Sequence, residues 1–118
     1  YTVMRGLLED LAFFSWIRTL TALKSRLSLD DWIASATMGA AEMLAGGITT
    51  VGDCADAGAS LSALLVSGQR GIVFREVFGI EREPTPEQIL ATLKRKTVAM
   101  EEMIERHHAE ERVAVGVS

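Results

Sequence analysis

Three short runs rich in β-branched residues, Ile48 to Cys54, Gly71 to Gly79 and Val113 to Val117, are separated by long stretches of helical periodicity. No two-residue hairpin signal joins any pair of them. An antiparallel pair can be linked by a tight turn, whereas a parallel pair requires a crossover of a dozen or more residues, so strands linked through helices are expected to run in one direction. The chain is therefore read as α/β and built on a parallel βαβ unit. Its strands are expected to be buried on both faces, as in a sheet covered by helices.

The helical stretches carry their own punctuation. Leu7, Leu8, Leu11, Phe14, Ile17, Leu20 and Leu23 recur at helical intervals and predict one or two amphipathic segments. Ser28 with Asp31 three residues on is a capping pair, and the apolar face from Trp32 to Leu44 predicts a helix that ends at Gly46-Gly47. A small-residue helix is expected from Ala59 to Ser67, stopped by Gly68. Thr85-Pro86-Glu87-Gln88 combines an N-cap, a first-turn proline and a reciprocal glutamine. The helix it starts is expected to reach Arg106-His107-His108, whose cations suit the negative end of the helix dipole.

Composition narrows the function classes. Twelve basic and sixteen acidic residues give a net charge of −4 without blocks of like sign, so no electrostatic footprint for nucleic acid is present. No apolar run approaches the ~20 residues of a membrane helix, and Arg5, Glu9 and Asp10 stand where a signal peptide would be apolar. The lone cysteine, Cys54, offers neither an internal disulfide nor a zinc spacing, which fits a reducing, cytoplasmic setting. Three strands with about four helices cannot close a barrel, which takes eight strands. The chain starts at Tyr1 and stops in a strand pattern without turn or cap. Both features are read as a single incomplete domain over 1–118 with no internal boundary. A minimal doubly wound sheet, acting as a small ligand- or protein-binding module without catalysis, is the alternative.

Ligands of parallel α/β folds gather at the carboxyl ends of strands. At the first such end, Asp53 and Asp56 could orient a substrate, although aspartates there more often form turns or cap the next helix. Cys54 could act as a nucleophile only beside a base, and none is spaced for it, so a buried structural thiol is expected. At the second end Arg75 and Glu76 interrupt an apolar run, and side-chain alternation puts Arg75 on the side of Val73 and Val77. A guanidinium on a central strand is either salt-bridged or clamps a substrate anion or carbonyl. Glu105-x-x-His108 has the spacing of one half of a di-iron motif, but solvated helix-end histidines are favoured. Gly47 to Gly52 has a phosphate-loop spacing without its Lys-Ser/Thr, and is set aside.

MRGLLEDLAFFSWI, AAEMLAGGITTVGDC and SGQRGIVFREVFG, in that order, resemble the amidohydrolase superfamily. The resemblance is greatest to its aminohydrolase branch of chlorohydrolases, S-adenosylhomocysteine and related nucleoside deaminases, and aminofutalosine deaminase-like proteins. It implies strands two to four of a (β/α)8 TIM-type barrel. It also implies a metal-dependent hydrolase of C–N bonds that deaminates a nucleoside-like or heterocyclic small molecule. The cofactor implied is zinc or iron, held by a His-x-His motif ahead of Arg5-Gly6 and by later His and Asp residues, so that both sets of ligands lie outside this segment. Arg75 matches an arginine that binds substrate in some nucleoside deaminases of the branch, and is the substrate-binding residue implied. Lys24 falls near their ribose-binding glutamate, a departure that leaves the substrate open. No catalytic or metal-binding residue is assigned within 1–118, and a soluble homo-oligomer is expected for the parent protein. Residues 1–118 alone are expected to lose zinc on dialysis against a weak chelator. Stoichiometric zinc retained in elemental analysis would contradict this.

Overall fold

The computed structural model describes residues 2–54, 58–76 and 85–118. A single 3-10 turn (Thr2–Met4) leads to helices α1 (Phe13–Lys24) and α2 (Leu29–Ala45), then strand β1 (Thr50–Cys54) and helix α3 (Ala59–Ser67). Strand β2 (Arg70–Arg75), helix α4 (Pro86–Arg106) and strand β3 (Val113–Val117) complete the order. The expected start and stop signals operate as local chemistry. Ser28 Oγ accepts from the Asp31 amide at 3.2 Å while Asp31 Oδ2 accepts from the Ser28 amide at 2.9 Å, satisfying two donors that the first turn of α2 leaves open. Thr85 and Gln88 form the same reciprocal pair at α4, with Pro86 in its first turn. Gly68, at φ 74°, supplies the left-handed residue that closes α3.

The amino-terminal segment departs from expectation. Leu7, Leu8 and Leu11 share a helical period, yet α1 begins only at Phe13. The backbone turns left-handed at Gly6 (φ 76°) and Asp10 (φ 54°), which no continuous helix permits. The chain is instead held back onto α2, where the Val3 amide donates to Ser35 Oγ at 2.9 Å and Arg5 pairs with Glu42.

The strands form one parallel sheet in the order β1-β2-β3, as the missing hairpins required. Register assigns the two faces. Val51 and Asp53 share a side with Gly71, Val73 and Arg75, and with Val113, Val115 and Val117. Leu61 and Leu64 of α3, and Met100 and Ile104 of α4, pack on that side around Val73, which is 0% exposed. Gly71 is needed there, because a Cβ would stand 2.7 Å from the Val51 carbonyl oxygen and 2.9 Å from Leu64 Cδ1.

The opposite face corrects the expectation of two-sided burial. It carries Thr50, Gly52, Cys54, Ile72, Phe74, Ala114 and Gly116, and among the described residues no helix covers it. Ile72 is 42% exposed, and β1 is exposed along most of its length because it lies at the sheet edge. Both crossover helices lie on one side, so the sheet is singly wound, whereas a doubly wound sheet has helices on both faces. The radius of gyration is 15.4 Å, against about 13.5 Å for a compact domain of this length. The described residues span 41 × 40 × 21 Å, a slab of one helix layer on one sheet.

Phe74 lies across the bare face between two glycines, where a Cβ at Gly116 would stand 2.6 Å from its ring and one at Gly52 3.5 Å. Gly71→Ala and Gly116→Ala are each expected to destabilise the protein by about 1–3 kcal/mol through overpacking. Phe74→Leu should rescue Gly116→Ala and leave Gly71→Ala unrescued, since the obstacle at Gly71 includes backbone. Urea midpoints measure both, and an unchanged midpoint for either glycine variant would contradict the packing described.

Candidate functional site

The parallel strands end together, bringing Asp53 and Cys54 of β1, Arg75 and Glu76 at the end of β2, and Val117 and Ser118 at the end of β3 to one edge. The Ser118 amide donates to the Arg75 carbonyl at 3.0 Å and closes the last pair of the ladder, Arg75 with Val117. This edge is the place where loops and helix amino termini converge in parallel folds.

Asp53 turns to the helix side, where its carboxylate accepts a hydrogen bond from Ser60 Oγ in the first turn of α3. A carboxylate there complements the positive end of the helix dipole. No side chain caps α3, its N-cap being Gly58 at φ 72°, and Asp53 is joined to the first turn through the Ser60 hydroxyl. Asp56 lies outside the described residues, as do Val77, Phe78 and Gly79 of the expected second strand. Cys54 corrects the expectation of a buried thiol, for it is exposed on the bare face of the edge strand. Ser118 Oγ donates to its sulfur at 3.9 Å, a weak contact.

Arg75 is buried at 4% exposure on the helix side with Val73, as alternation predicted. Its guanidinium is engaged in an interaction while Nε meets no acceptor. Glu76, by the same alternation, belongs to the bare side with Phe74 and is half-buried. Glu105 and His108 stand at the end of α4. His107 Nδ1 lies 2.8 Å from the Met103 carbonyl, and His108 has left the helix at φ 50°. Among the described residues no group of three or more His, Cys, Asp and Glu side chains could hold a metal ion.

Two features had no sequence signal. A cleft of about 810 Å³ opens between α2, β1 and α3, walled by Trp32, Met43, Ile48, Val51 and Leu64, with Arg5 and Glu42 also lining it. It follows the unpaired edge of β1 because α2 packs beside α3 instead of over β1. At the opposite end of the sheet, Arg112 donates to the carbonyls of Leu64 (3.0 Å), Gln69 (3.2 Å) and Leu65 (3.4 Å). It thereby ties the end of α3 to the start of β3. The partners are 43 to 48 residues away, a separation that no local pattern reports.

No family model matches the chain. A 5-methylthioadenosine/S-adenosylhomocysteine deaminase of Symbiobacterium thermophilum is 37% identical to it over 81 residues, covering 67% of this chain and 19% of that protein. The chain thus spans about a fifth of the length of the curated relative it matches.

Arg5 and Glu42 also make the ion pair that fastens the amino-terminal turn to α2, with Nη2 to Oε2 at 2.6 Å. The hydrogen bond from Arg5, and then its charge, hold the Glu42 carboxyl below the usual carboxylate range. A depressed folded-state pKa gives stabilisation that is present above the unfolded value and lost as pH falls through the folded one. Acidification through that range is therefore expected to release the Thr2–Met4 turn, seen as faster amide exchange at Val3. Glu42 titrating like a free carboxylate by NMR, with Arg5→Ala leaving Val3 exchange unaltered, would contradict this.

Proposed function

Given that the chain is a partial member of the amidohydrolase-type deaminases, we propose that it forms strands two to four of a (β/α)8 barrel. The parent protein is a metal-dependent hydrolase that releases ammonia from a nucleoside-like or heterocyclic small molecule. The observation that carries this is the 37% identity to a deaminase of 5-methylthioadenosine and S-adenosylhomocysteine. The geometry supports it independently of identity. Sequential parallel strands with their helices on one side, and a bare second face, are what three staves of a barrel present. The cleft beneath α2 along the free edge of β1 suits a preceding strand, which would pair with β1 and be covered by α2.

A bound metal ion in such an enzyme would acidify water near neutral pH and supply the nucleophile. Among the described residues no group of three or more His, Cys, Asp and Glu side chains could hold that ion, and its ligands are proposed to lie in other parts of the parent. The contribution of this segment is the wall of the site and its substrate contacts. Arg75 is proposed as one of these, because it ends β2 and its fixed positive charge suits a carbonyl or anionic group. Its side chain leaves the strand on the helix side, so a contact with substrate would be made around the strand end.

The parent protein, purified with its metal, is expected to release ammonia from 5-methylthioadenosine or S-adenosylhomocysteine. Removal of the metal by a chelator should abolish the activity and readdition should restore it. Arg75→Met should raise KM about tenfold, the loss of one charged hydrogen bond. Ammonia release from neither compound nor from other aminated heterocycles would refute the deaminase assignment, and an unchanged KM would remove Arg75 from the site.

A further inference from the structure

Resting on the deaminase reading above, we propose that Glu76 is a second substrate contact, its carboxylate accepting hydrogen bonds from N–H or O–H donors of the substrate. Alternation along β2 separates it from its neighbour. Arg75 shares the helix side with Val73, and β2 ends there; extending the alternation by one residue puts Glu76 on the bare side with Ile72 and Phe74. In a barrel the bare side is the interior, and its carboxyl-terminal rim is where substrate lies.

The neighbours of Glu76 fit that placement. The Ser118-to-Arg75 hydrogen bond closes the Arg75–Val117 pair at the end of the ladder, and one further step of the same register brings Ser118 level with Glu76. Cys54 and Ser118 flank β2 from either side, on strands about 9.6 Å apart in a flat sheet. Their side chains nevertheless meet at 3.9 Å, so this face curls inward at its carboxyl-terminal end. Below them the Phe74 ring, seated between Gly52 and Gly116, makes an apolar floor. The concavity therefore offers a carboxylate and a hydroxyl above an aromatic surface. An acceptor-only carboxylate recognises donors. On a nucleoside-like molecule these are the ribose diol or the N–H groups of the heterocycle. Glu76 is half-buried, and it makes no salt bridge among the described residues that would occupy it.

The test uses the metal-loaded parent protein, with Glu76→Gln and Glu76→Ala beside the wild type. Calorimetric Kd, together with KM and kcat, is measured for 5-methylthioadenosine and for its 2′,3′-dideoxy analogue. Both variants are expected to weaken binding and raise KM about tenfold, with kcat changed less and the melting temperature preserved. If the dideoxy analogue binds wild type and variants equally, the donor is the ribose diol; if the tenfold difference persists, it is the heterocycle. Unchanged Kd and KM in both variants would overturn the proposal, as would a binding loss matched by a lowered melting temperature in Glu76→Gln. A wild type that binds nucleoside without releasing ammonia would refute the deaminase reading and still score Glu76 through Kd. A wild type that binds neither compound would overturn both.

Discussion

Everything else in this chain depends on burial of one side of a parallel sheet around Val73. Backbone pairing aligns the three strands, but a ladder has no preference for either face, and the choice is made by α3 and α4. Leu61, Leu64, Met100 and Ile104 close over Val73 and Val113, removing water from one side of β2. Gly71 permits this approach, since any side chain there would meet the Val51 carbonyl. Arg112 then holds the carbonyl end of α3 against the start of β3.

One-sided burial gives the chain its chemical asymmetry. Along β2 each step of one residue changes the environment, from helix-covered Val73 through Phe74 and buried Arg75 to Glu76 on the bare side. A cation and an anion adjacent in sequence therefore leave the strand on opposite sides. The bare face leaves Ile72 exposed and Phe74 half-buried, and Phe13, Phe14 and Val66 are exposed elsewhere.

Much of the architecture was legible because its signals are local. The reciprocal pairs Ser28/Asp31 and Thr85/Gln88 depend on side chains three residues apart, and both helices start where those pairs stand. Ala59–Ser67 likewise ends at its glycine. The leucines before Phe13 misled for the converse reason: their helical spacing is local, but the backbone there is set by Gly6, Asp10 and the distant Ser35 and Glu42. Cys54 was expected to be buried because its run looks like a core strand, and its exposure follows from the position of β1 at the sheet edge.

The sequence by itself determined strand direction, the starts of α2 and α4, the extent of α3 and the alternation that separates Arg75 from Glu76, because each follows from backbone geometry over a few residues. The relation to amidohydrolase-type deaminases was also legible there, carried by short motifs in a fixed order. Only the tertiary structure decided which face of the sheet is covered, that Asp53 is committed to Ser60, that Arg112 braces α3, and that a cleft follows β1. These depend on contacts between segments far apart in the chain, where burial and hydrogen bonding are settled by packing that no local pattern encodes.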